Sequence, residues 1–187
     1  GAQIDSVGTN NVDIMKQMIG KLARFGYKRI GYVSEDTIMS NAYDRYIGFR
    51  LGMEENGLKM DKANIILDPM LRLDKIENGN RVMQAFLAQN KQLPEIFLCS
   101  SDLIAIGVIA ALRQHGIKIP RQVGVIGFDD ISLARYTNPP LTTVTQDMKQ
   151  LGKTSVRTLI RRIESPNQPA EDIAISAGIV VRASARL

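Results

Sequence analysis

VGVIGFDDISLARYTNPPLTTVTQ, residues 123–146, decides the fold. Its first seven residues are β-branched, aromatic or glycine and end on an acid, Asp129, with a second acid, Asp130, next to it. A short apolar run bounded in this way reads as a strand buried on both faces, as in a parallel sheet. Residues 131–146 are rich in proline and then in threonine and valine, so they form a loop followed by a strand or connector.

The same strand signal recurs upstream at 28–34, 64–68 and 95–100, with helical spacing at 12–25, 42–56, 75–90 and 102–115 between and around the strands. In the first helix Met15, Met18, Ile19, Leu22 and Phe25 fall on one stripe, and Gly26 marks its end. Downstream, a helix over 147–164 stops at Ser165-Pro166, and short strands follow at 173–176 and 178–182. Strand and helix alternate throughout. Right-handed crossovers then require a mostly parallel sheet covered by helices on both faces, the doubly wound α/β architecture. The loop at 68–74 is the expected lobe junction.

The 187 residues, 44% hydrophobic and 23% charged, suffice for one domain or for two lobes of roughly 90 residues. No run of about 18 apolar residues is present and residues 1–20 lack a signal-peptide pattern, so the expected location is the cytoplasm, away from membranes. A lone cysteine, Cys99, cannot close an internal disulfide, and a lone histidine, His115, excludes a multi-histidine metal site. The net charge of +5 is diffuse. Its densest part, Lys153, Arg157, Arg161 and Arg162, lies along one helix face and reads first as a solvated stripe.

Catalytic signatures are missing: there is no G-x-G-x-x-G, Walker loop, G-x-S-x-G or H-E-x-x-H. No enzyme activity, cofactor or metal is expected. In a doubly wound sheet ligands sit at the carboxyl ends of the strands, which here carry Ser34-Glu35, Asp68, Ser100-Ser101-Asp102 and Asp129-Asp130. Ser101 or Asp102 also suits a helix cap. Arg45, in the first turn of the second helix, has a planar fork able to hold two ligand oxygens, although a surface arginine gives the same pattern.

GYKRIGYVS, DRYIGFRLGMEENGL, SSDLIAIGVIAALRQHGIKIP, the 123–152 stretch ending Q-x-x-x-x-L-G, and the terminal VVRAS together resemble the effector-binding core of the LacI/GalR family of bacterial transcription repressors. The similarity runs from about Thr9 to Ser184. It implies a periplasmic-binding-protein-like fold of type I, with two doubly wound lobes joined by three crossing segments and a small effector between them. On that pattern residues 1–62 are a partial first lobe, 63–140 the second lobe, and 141–187 the crossing segment, a returning first-lobe helix and the terminal strands. A DNA-binding head and the first strands of the first lobe are expected to precede this stretch, so operator DNA would be reached only through that head.

Carried over residue by residue, the resemblance implies that Arg45 and Asp129 bind the effector. Ser101 stands where the family usually has asparagine, and Asn10 replaces an aspartate before the first helix. Gln146 matches the glutamine of the crossing, and Asn41 and Asp13 lie where pocket residues occur. An aromatic platform is often supplied just before Gly79, yet only Leu71, Leu73 and Asp74 stand there. The implied effector is a small carbohydrate or a sugar phosphate, sensed without chemistry by a homodimer joined through the helix beginning at Asp102 and the loop near Tyr136. Two other readings stay open: a regulator on which a phosphocarrier protein docks, and a solute-binding protein of a sugar transporter.

Overall fold

The computed structural model describes residues 4–89 and 92–187. The order is β1 (Ser6–Thr9), α1 (Asn11–Arg24), β2 (Ile30–Ser34), α2 (Ser40–Glu55), β3 (Ile65–Leu67), α3 (Lys75–Gln89), β4 (Ile96–Cys99) and α4 (Asp102–Gln114). There follow β5 (Gly124–Asp129), β6 (Thr142–Gln146), α5 (Met148–Glu164), β7 (Asp172–Ile175) and β8 (Ala177–Val180). Each helix and strand expected from the sequence is present with shifted ends. Residue 90, the expected end of α3, lies outside the described residues. β1 was not foreseen, because four residues with a glycine among them give no periodicity to read.

The main sheet has six strands in the order β3-β2-β4-β5-β6-β8, all parallel except β8, which runs antiparallel to β6. Successive side chains in β4 point to opposite faces, so Phe97 and Cys99 join a core with α3 and α4, while Ile96 and Leu98 join another with α1 and α2. Both faces are therefore apolar, and the strands read as continuous hydrophobic runs. α4 lies close on α3 because position 107 is glycine: a Cβ there would stand 2.2 Å from the Ile76 carbonyl oxygen.

A second, smaller sheet pairs β1 with β7 in parallel, and α5 packs against β1. Arg162 and Arg161 of α5 fasten it to this sheet through Asp5, and Arg161 also pairs with Glu171. That half of the basic stripe is thus a structural clamp, and only Lys153 and Arg157 match the expected solvated face. Val156, Leu159 and Ile163 of α5 are exposed.

The expected division at 62/63 is corrected by the sheet. β2 lies between β3 and β4, so residues 11–58 belong with the strands that follow rather than with a first lobe. The smaller unit is built from β1, α5 and β7. Residues 68–74 are not a junction either, since a 3-10 turn over Pro69–Arg72 buries Leu71 completely in the core beneath α3. The chain passes between the two sheets three times: after Thr9, after Gln146 and after Ile175. These crossings are bonded to one another. The Thr9 hydroxyl donates to Gln146 Oε1 at 2.5 Å, and the Asn10 amide donates to the Ile175 carbonyl at 3.3 Å.

Candidate effector cleft

The carboxyl ends of β2, β4, β5 and β6 open onto a cleft of about 800 Å³ shared with β1 and β7 of the smaller sheet. Arg45 anchors it. Carried by α2, Arg45 is buried, and its guanidinium donates from Nε to Asn11 Oδ1 at 2.9 Å, from one terminal nitrogen to the Ser100 carbonyl at 2.5 Å, and from the other to Asp129 Oδ1 at 3.3 Å. Its plane rests 3.6 Å from the centre of the Phe128 ring. Burial lowers the Arg45 pKa and Asp129 raises it again, with a net fall from the ordinary value.

Asp129 ends β5 in a left-handed backbone, φ +109°, and Asp130 continues with φ +50°. Such values are costly for residues with a Cβ and cluster at binding sites. The Asp129 carboxylate accepts from Gln146 Nε2 at 2.6 Å as well as from Arg45. Burial raises its pKa, and Arg45 and Gln146 offset part of that rise.

Glu35 and Lys75 form a second polar centre in the cleft. Lys75 Nζ lies 2.7 Å from Glu35 Oε1, and the Ser100 hydroxyl donates to Glu35 Oε2 at 2.6 Å. Burial acts to raise the Glu35 carboxyl, but the bonds from Lys75 and Ser100 outweigh it and hold it below the ordinary glutamate value.

Of the expected site residues, Arg45, Asp129, Ser101, Gln146, Asn41 and Asn10 all line this cleft. Ser101 combines that place with capping: its Oγ accepts from the Ile104 amide at 3.4 Å. Asp13 does not reach the cleft. It is exposed at the start of α1 and lines a separate recess between α1 and α2, while its carboxylate accepts from Asn10 Nδ2 at 2.5 Å. Helix geometry explains this, because three residues beyond Asn10 the side chain returns to the helix start rather than to the sheet end.

The sequence reading missed Lys75, and of the Asn10-Asn11 pair before the first helix it took only Asn10 as a site residue, whereas Asn11 is the one that bonds Arg45. Lys75 opens a helix beside the strand-end acid Glu35, and that juxtaposition arises only when the helix folds back over the sheet. Leu71, Leu73 and Asp74 contribute nothing to the cleft: Leu71 is core, Leu73 is exposed, and Asp74 bonds the Glu77 amide at the start of α3. Among the described residues no aromatic side chain lines the cleft, whose apolar surface comes from aliphatic residues such as Leu103 and Ile131.

Residues 19–185 match the model of the periplasmic binding protein-like domain. The chain belongs to that family, and within it to the effector-binding cores of LacI/GalR-type regulators. It is 34% identical over 162 residues to a ribose operon repressor of Haemophilus influenzae, covering 85% of this chain and 46% of the relative. It is also 34% identical over 164 residues to an HTH-type transcriptional repressor, PurR, of Histophilus somni, covering 86% and 47%. The chain thus spans about half the length of the curated relatives it matches. A solved transcriptional regulator, CelR in complex with cellobiose, shares the fold with a TM-score of 0.87 at 24% identity, over 97% of this chain and 54% of that one. None of the described helices is long and apolar enough to cross a membrane.

Proposed function

We propose that this domain is the effector sensor of a cytoplasmic transcription repressor and takes a small, uncharged carbohydrate into the cleft. The observation that carries this reading is the cluster of Arg45, Asp129 and Gln146, which presents charged donors and a charged acceptor at one point for a pair of vicinal hydroxyls. Charge favours a neutral sugar over a sugar phosphate. Arg45 is already matched by Asp129 and Lys75 by Glu35, while Asp44 adds a further acid to the lining. The aliphatic walls suit the carbon face of a small ring.

Sensing works by linkage. A ligand that touches both Asp129 and the β1 and β7 side of the cleft favours one arrangement of the two sheets, and only a difference in affinity between arrangements shifts their populations. DNA binding is then the task of a head of the kind that gives HTH-type relatives their name. Dimerisation is proposed through the loop near Tyr136, which with Leu133 is exposed, whereas most of α4 is buried against α3 and the sheet.

The names of the relatives favour a regulator over a transporter's solute-binding protein. The phosphocarrier reading loses part of its motive, because Arg161 and Arg162 are engaged within the fold. Titration calorimetry with D-ribose and cellobiose, on the wild type, Arg45→Ala and Asp129→Ala, tests the proposal. Binding by the wild type that both variants lose supports it. Heat of binding that survives both substitutions would place the ligand elsewhere and overturn it.

A further inference from the structure

Asp102 is fully buried, is not part of the cleft lining, and opens α4 directly behind the cap residue Ser101. An acid in the first turn of a helix is ordinary, since it faces the positive end of the helix dipole. This one spends its oxygens elsewhere. Its Oδ2 accepts from the Ile131 amide at 2.8 Å, and its Oδ1 accepts from the Thr143 hydroxyl at 2.5 Å. The same Thr143 oxygen accepts from the Asp130 amide at 3.4 Å. The carboxylate sits against β5 where residue 127 has no side chain: a Cβ on Gly127 would stand 2.1 Å from Asp102 Oδ1. One buried carboxylate therefore ties α4, the turn after β5, and β6 together.

The turn it ties is the left-handed pair Asp129-Asp130, whose backbone is unfavourable unless its surroundings hold it. We propose that Asp102 is a positioning residue of the cleft, its carboxylate clamping the Ile131 amide and the Thr143 hydroxyl so that Asp129 is held between Arg45 and Gln146. The proposal rests on the cleft reading only in taking Asp129 as the ligand's acceptor.

Electrostatics agree with a site kept for a purpose beyond stability. Among the described residues no cation pairs with Asp102, and burial raises its carboxyl to about 6 despite the two bonds it accepts. The groups facing it are Asp129 and Asp130 from the β5 turn, which push it further up, and the neutral Cys99 thiol from β4. Arg182, beyond β8, is committed to Asp130, and Arg45 of α2 to Asp129.

The test uses the ligand-free protein first. The Arg45 Nε–H and Ile131 amide resonances, the former assigned by its loss in Arg45→Lys, are followed by nitrogen-edited NMR from pH 5 to 8. In the wild type both move through a shared step, and Asp102→Asn removes that step and displaces the Arg45 signal. An Arg45 signal with the same position and titration in Asp102→Asn overturns the proposal. Thr143→Val, which keeps the Ile131 anchor, gives the second reading should Asp102→Asn fail to fold: a displaced Arg45 signal supports the clamp, an unmoved one overturns it.

Calorimetry with D-ribose and cellobiose adds the functional arm. Where the wild type binds either sugar, Asp102→Asn weakens it tenfold or more while the melting transition stays cooperative, and unchanged affinity counts against the clamp. Absence of binding by the wild type overturns the carbohydrate reading and leaves the NMR arm to decide on Asp102.

Discussion

Arg45 holds three protein groups and a ring face at once, so its loss is felt in stability as well as in binding. Truncating one partner of a buried charged pair strands the other, which costs about 3–5 kcal/mol. Asp129 is partly open to solvent and Gln146 still serves it, so Arg45→Ala is expected below that range, at about 1–3 kcal/mol by denaturant unfolding, with affinity for any sugar the cleft binds falling at least 100-fold. Two buried acids near the cleft carry opposite pH signatures. Glu35 is held below its ordinary value, so its contribution is complete above the unfolded pKa, about 4.3, and is lost as pH falls through the lower folded value. Asp102 is raised to about 6, so its contribution is complete below the unfolded pKa, about 3.9, and is lost as pH rises through 6. The stability gap between the wild type and Glu35→Gln should therefore stay level from about pH 5 to 7 and shrink as pH falls below about 4, whereas the pH-dependent part of the gap to Asp102→Asn should appear between about pH 4 and 6 and fade as pH rises through that window. Asp129 was legible in the sequence as a strand-end acid and Arg45 as a planar donor near the start of a helix, a pattern that a surface arginine shares, and it was the family resemblance that set the two together. Lys75 was not legible, because its partner lies forty positions away and meets it only in the folded sheet.

At the level of elements, α3 and α4 touch at backbone distance, and the contact depends on a missing side chain at 107. Gly107→Ala must push the two helices apart, and overpacking of this kind costs about 1–3 kcal/mol. A thermal melt should show it as a drop of several degrees. Phe97 tests the core on the same face of the sheet, where it meets Phe86 edge-on with centroids 5.4 Å apart. Phe97→Ala should lose about 3–5 kcal/mol, since the cavity has little room to collapse. Most elements could be read from apolar periodicity, which burial on both faces of a parallel sheet makes strong. β1 could not, and neither could the membership of β2. Strand order is a tertiary fact: nothing in GYVS says that the chain will insert it between two later strands. The 62/63 division failed for that reason, since it followed chain order where the sheet does not.

Across the whole molecule, three passages of chain join the sheets, and two of them meet at the Thr9–Gln146 hydrogen bond. Gln146 also reaches Asp129, so the cleft and the crossings share a side chain. Binding of a sugar should slow amide exchange at residues 9–11 and 145–147 more than in β4, whose protection is already set by global unfolding. Equal protection throughout would mean stabilisation by mass action alone, with no coupling to the crossings.

The ligand-free cleft has no idle groups at its centre: Arg45, Asp129 and Gln146 already satisfy one another. A solute offering one hydroxyl can only exchange a bond for a bond, and gains nothing by entering. A molecule that answers the acid, the guanidinium and the amide together keeps all their bonding and adds the burial of its own carbon surface. On the proposed carbohydrate reading the geometry would act as a coincidence detector, indifferent to a solute with a single hydroxyl and responsive to a ring that presents several hydroxyls in the right order.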